Sequence, residues 1–142
     1  MLSPTVSLQK INPNTSATEI LKSAKLSLKL GRFQQSLMIA YSAVQQDPNQ
    51  QQMYKNHYIQ VMRLGAEFAE EIEDHHKAAY YWEQLTKQIP NDSDAWYGLG
   101  IAKANLQDYQ EAIIALNQAL KLQPGNQKIR SMLIEIQQIM AG

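Results

Sequence analysis

The sequence predicts an all-α fold of stacked helical hairpins, an α-solenoid, on three observations. The first is the run from Ala95 to Pro124, AWYGLGIAKANLQDYQEAIIALNQALKLQP, where large and small residues alternate as two closely packed antiparallel helices require. Gly100 and Ala112 remove side-chain bulk where the backbones cross, and Trp96, Leu99, Tyr109 and Leu116 fill the space around that contact. The second is recurrence. Ile20 to Pro48 repeats the scheme with Ala24, Gly31, Phe33, Ser36, Ala40 and Ala43, and Lys77 to Gln88 carries Ala78, Trp82 and Leu85 ahead of Pro90. The third is the period: Pro90 and Pro124 lie 34 residues apart, and Pro48 and Pro90 lie 42 apart. Each proline marks a helix end, because it cannot continue the helix and biases the preceding residue away from helical geometry.

The elements follow in order. Residues 1–16, MLSPTVSLQKINPNTS, hold two prolines and little periodicity, which predicts an extended arm. Ser16 with Glu19 three residues later is a capping box, so the first helix starts there. Residues 17–50 form the first hairpin, 51–92 the second and 93–126 the third, all within one domain over 17–142. The middle hairpin has eight residues more than the 34-residue period. Gln50 to Ile72 contains no proline and a single glycine, Gly65, with Met53, Ile59, Met62, Ala66, Ala69 and Ile72 mostly at helical spacing. This predicts a first helix lengthened by about two turns, roughly 12 Å at 1.5 Å per residue; a normal helix behind a longer loop is the alternative. A stretched helix would protrude and carry Tyr54, His57 and Tyr58 as a ledge. After Pro124 and Gly125, residues 126–141 place Ile129, Met132, Leu133, Ile136 and Met140 on one stripe, with Lys128, Arg130, Glu135 and Gln137 outside it. A solenoid needs a terminal cap, and this helix is placed to be one.

Composition narrows the function. At 142 residues the chain is filled by three hairpins and a cap, which leaves no room for a separate catalytic domain. The absence of cysteine excludes disulfides and thiol chemistry, and fits a reducing, cytoplasmic setting. No apolar run is long enough to cross a membrane, so attachment would go through a partner. Thirteen basic and thirteen acidic residues balance to zero, but unevenly. Residues 1–50 carry a net +3 and residues 51–92 a net −3, the acidic excess lying in Glu67, Glu70, Glu71, Glu73 and Asp74. That pattern argues against nucleic acid, which calls for a sustained basic stripe. Glu73, Asp74, His75 and His76 suit a divalent metal in type only, because they fall at a turn where four side chains need not converge. There is no glycine-rich phosphate loop and no nucleophile with a base nearby in sequence. No enzyme, metal or cofactor is expected.

The spacing Trp96, Leu99, Gly100, Tyr109, Ala112, Leu116, Ala119, Pro124 resembles the tetratricopeptide repeat (TPR). The resemblance implies a right-handed solenoid whose first helices line a concave groove for a peptide or helix of a partner protein. By repeat register it implies groove-facing Leu21, Lys25 and Lys29 from the first copy. Arg63 and Glu67 would come from the second, and Tyr97 and Ile101 from the third. Lys25, Lys29 and Arg63 would offer donors to acidic groups, and Leu21, Tyr97 and Ile101 apolar contact. Some TPR domains grip a C-terminal carboxylate with Lys, Asn, Asn, Lys and Arg. The matching positions here are Leu21, Lys25, Leu64, Asp94 and Gly98, so that clamp is not expected. The expected role is therefore a protein-binding adaptor or assembly factor. The alternative is a structural subunit or docking platform that uses its convex face, its arm or the long helix with Tyr54 and Tyr58. Self-association through an incompletely capped end is also compatible with the fold.

Overall fold

The computed structural model describes residues 16–142, the side chains of residues 17 and 18 excepted, so the expected arm lies outside the described residues except for Ser16. Among the described residues there are seven α-helices and no strand. They are α1 (Ala17–Lys29), α2 (Phe33–Gln46), α3 (Gln51–Glu71), α4 (His75–Gln88), α5 (Ser93–Asn105), α6 (Tyr109–Leu122) and α7 (Gln127–Ala141), with a 3-10 turn over Pro48–Gln50. The chain falls into two compact units, Met1–Val61 and Met62–Gly142, with the boundary inside α3.

Short polar side chains start five of the seven helices because the first N–H groups of a helix have no internal acceptor. Ser16 opens α1 with the expected capping box, its hydroxyl accepting from the Glu19 N–H at 3.3 Å. Asp74, Asp92, Asp108 and Asn126 cap α4, α5, α6 and α7 in the same way. Each hairpin turn then closes alike. The N–H groups of Arg32, Asp74 and Asp108 donate to the carbonyls of Ser27, Ala69 and Lys103, each at 2.9 Å. The residue before each donor sits at positive φ: Gly31 at 74°, Glu73 at 57° and Gln107 at 62°. This is the left-handed closure common at helix C-termini. Its recurrence at the same place in three hairpins gives the repeat a backbone signature.

The lengthened helix is real. α3 has 21 residues against 13 in both α1 and α5, which accounts for the eight additional residues without a longer loop. In unit 1, Ile20 and Ala24 of α1 pack with Ile39, Ala40 and Ala43 of α2, and Met53 and Tyr54 of α3 lie against that cluster. In unit 2, Ala112, Leu116 and Ala119 of α6 pack with Ile129, Leu133 and Ile136 of α7. Two glycines mark close helix crossings. A Cβ on Gly100 would lie 2.6 Å from Leu116 Cγ, and one on Gly98 would lie 2.4 Å from Trp82 Cε2. On α7 the expected stripe is buried at Ile129, Leu133 and Ile136, while Met140 in the last turn is 48% exposed. Among the described residues no helix is long and apolar enough to cross a membrane.

Candidate partner-binding surface

In unit 2 the second half of α3, the turn after it, α4 and α5 enclose a cleft of about 290 Å³ lined by Glu70, Glu73, His75, Ala78, Ile101 and Asn105, with Ala102 at its base. Helical spacing brings Glu67, Glu70 and Glu71 to one side of α3, while Ile101 and Asn105 stand one turn apart on α5. Glu70 is the fixed point of the cleft. Its Oε1 accepts from the Trp82 indole N–H at 3.0 Å, across from α4. Burial pushes its carboxyl above the usual glutamate range. The Trp82 hydrogen bond opposes that shift, and the negative charge of Glu67 adds to it. The cleft therefore combines carboxylates, an amide and an apolar wall.

Two further residues expected in the groove belong to this unit. Arg63 donates to Asp92 Oδ2 at 2.7 Å, and Asp92 Oδ1 caps α5 through the Asp94 and Ala95 N–H groups. The guanidinium thus ties α3 to the start of α5, and its charge is already matched within the chain. Tyr97 is half-buried against the α6–α7 cluster, with the Lys128 ammonium 5.1 Å from its ring centroid. Burial raises its phenol above the ordinary range.

In unit 1, Lys25 and Lys29 are exposed on α1 and Leu21 is half-buried. The added turns of α3 do not form a free ledge. Tyr54 packs against the α1–α2 cluster, meets Tyr41 edge-on at 5.6 Å and lies 6.3 Å from the Tyr58 ring. His57 is 3% exposed, and its Nε2 sits 2.7 Å from Ser36 Oγ. A serine and histidine at that distance invite a catalytic reading. Ser36, however, is fully buried and donates its proton to the Ala24 carbonyl at 2.7 Å, so its oxygen accepts from His57. The pair packs three helices together and offers no nucleophile to solvent.

Sequence spacing brings Glu67 and Ile101 near this cleft, but it misses Trp82 as the group that orients Glu70 and Asp92 as the partner of Arg63. Asp92 carries a readable signal as a capping residue between Pro90 and α5. The Trp82 contact carries none, because it depends on Gly98 being open sixteen residues later.

Comparison with known proteins agrees with this architecture. Residues 93–126 match the tetratricopeptide repeat family model. A stretch of 48 residues is 44% identical to the PEX5-related protein of Mus musculus, covering 34% of this chain but only 8% of that protein. Among solved structures, the C-terminal TPR-containing domain of a Plasmodium falciparum FK506-binding protein aligns with a TM-score of 0.62 at 20% identity, covering 99% of this chain and 94% of that one. The first TPR of Spaghetti (RPAP3), bound to the HSP90 peptide SRMEEVD, aligns at 0.57 and 18% identity, covering 89% and 94%. MamA aligns at 0.57 and 16% identity, covering 95% and 74%. At these identities the structural likeness is one of fold. The family match places a tetratricopeptide repeat at residues 93–126, and the described residues share the fold of TPR domains.

Proposed function

We propose that this chain is a non-enzymatic protein–protein interaction module of the cytoplasm, an adaptor or assembly factor. It holds a peptide or helix of a partner against side chains of its first helices. The observation that supports this most is the cleft of unit 2, where Glu70, Ile101 and Asn105 stand together with Glu67 beside them. Its chemistry fits a segment that places a basic side chain among apolar ones. The RPAP3 structures hold the acidic peptides SRMEEVD and SGPTIEEVD. A carboxylate would be repelled here, and of the five clamp positions only Lys25 carries a basic side chain. Asp94 has the wrong sign, and at Gly98 the ring of Trp82 fills the place a longer side chain would need. Lys25, Lys29 and Leu21 of unit 1 and Tyr97 of unit 2 extend the same reading to other first-helix positions.

The second reading, a docking platform, draws on Tyr41, which is 50% exposed beside Tyr54. Affinity capture from the native source separates the two. Glu67→Lys with Glu70→Lys is expected to lower recovery of the bound protein at least tenfold, while Tyr58→Ser leaves it unchanged. The reverse pattern contradicts the cleft reading and favours the platform.

A further inference from the structure

The Glu70 carboxylate that lines the unit 2 cleft is half engaged before any partner arrives. Its Oε1 accepts from the Trp82 indole N–H at 3.0 Å. That donor is fixed. Trp82 is 7% exposed, and its ring lies against bare Gly98 of α5, so close that a Cβ there would stand 2.8 Å from the indole nitrogen. Oε2 is therefore the oxygen that Glu70 has to offer. The other oxygen-bearing side chains of the cleft come from separate elements, Glu73 from the turn and Asn105 from the end of α5. Glu73 holds a left-handed φ of 57°, and the turn closes around it as the Asp74 N–H donates to the Ala69 carbonyl at 2.9 Å, so its place near Glu70 is set by the backbone. Ala78, Ile101 and Ala102 supply the apolar wall.

We propose that this cleft selects a lysine side chain of the partner over an arginine. The proposal rests on the reading of the cleft as the partner site and adds which cation it takes. An arginine guanidinium is held best by two parallel hydrogen bonds to both oxygens of one carboxylate. At Glu70 the indole occupies one side of that fork. Glu73 keeps both of its oxygens, but it lies exposed on the turn, where an ion pair contributes little. A lysine ammonium is a point charge with three donors that need not share a plane. It can draw single oxygens from Glu70 Oε2, the Glu73 carboxylate and the Asn105 side-chain carbonyl, while its aliphatic stem lies along Ala78 and Ile101. Trp82 does not touch the partner in this arrangement; it is a positioning residue for Glu70.

Anisotropy titrations of the purified chain compare the peptide SAMKKVK with SAMRRVR, and both with SAMEEVD. The lysine peptide is expected to bind about fivefold more tightly than the arginine peptide. In Trp82→Phe a ring still fills the Gly98 crossing, but the N–H is gone and both Glu70 oxygens return to the cleft. The arginine peptide is expected to gain there until the two bind alike, a change of ratio that loosened packing alone does not produce. Equal binding by the native chain, or tighter binding of SAMRRVR, overturns the proposal; with both peptides ahead of SAMEEVD, the cleft reading still stands. A lysine preference unchanged in folded Trp82→Phe overturns the proposal too. If neither basic peptide exceeds SAMEEVD, the cleft reading fails and the proposal with it. Should melts show Trp82→Phe unfolded, the native ratio alone decides.

Discussion

His57 joins three helices of unit 1 through one hydrogen-bond chain, from its own Nε2 to Ser36 Oγ and on to the Ala24 carbonyl. Its Nδ1 is buried without a hydrogen-bond partner, so the ring is held neutral. Burial first, and the charge of Lys25 second, lower its pKa below the ordinary histidine range. The contribution to stability is fully present above the unfolded value of about 6.5 and is lost as pH falls below it, because the unfolded chain then binds the proton more readily. Thermal melts from pH 7.5 to 5 are therefore expected to show a falling Tm in the native chain and a smaller fall in His57→Gln, which keeps a donor for Ser36. Parallel curves would show that His57 does not titrate against folding. Sequence leaves this residue ambiguous: a lone histidine on a helix is as readily exposed as buried, and its partner lies 21 positions away.

Helix lengths and starts are legible in the sequence because they depend on local signals. Prolines end elements, aspartates and an asparagine cap them, and the eight additional residues read as helix for want of any breaker. Contacts between elements are less legible. Register alone reads Arg63 as a donor for a partner, yet Asp92, 29 residues later, already holds it. The same holds for the α4–α5 crossing, where the absence of a side chain at Gly98 admits the Trp82 ring, which in turn orients Glu70. Gly98→Ala would place a methyl 2.4 Å from that ring. Overpacking of this kind costs about 1–3 kcal/mol. A Tm lowered by several degrees is expected, with a change in Trp82 fluorescence. Gly125→Ala, which meets nothing within 4 Å, serves as the neutral comparison. Equal melts for the two variants would mean the crossing is looser than described.

For the whole molecule, the solenoid class is readable because the TPR pattern is dense in residues 93–126, the stretch that also matches the family model. Partner choice is not readable in the same way. The first helices of a repeat array present whatever side chains register assigns, and only the packing beneath decides which remain available. Here it leaves Lys25, Lys29, Glu67 and Ile101 at the surface, holds Glu70 against Trp82 and ties Arg63 into an ion pair. Selection by charge is therefore expected, opposite in sign to that of the peptides held by the RPAP3 domains. The most direct measurement is a fluorescence anisotropy titration of the purified chain with SRMEEVD and with its charge-inverted counterpart SRMKKVK. The inverted peptide is expected to bind at least tenfold more tightly, about 1.4 kcal/mol, with the preference lost in Glu67→Lys/Glu70→Lys. Tighter binding of SRMEEVD, or a preference unchanged by those substitutions, would contradict it.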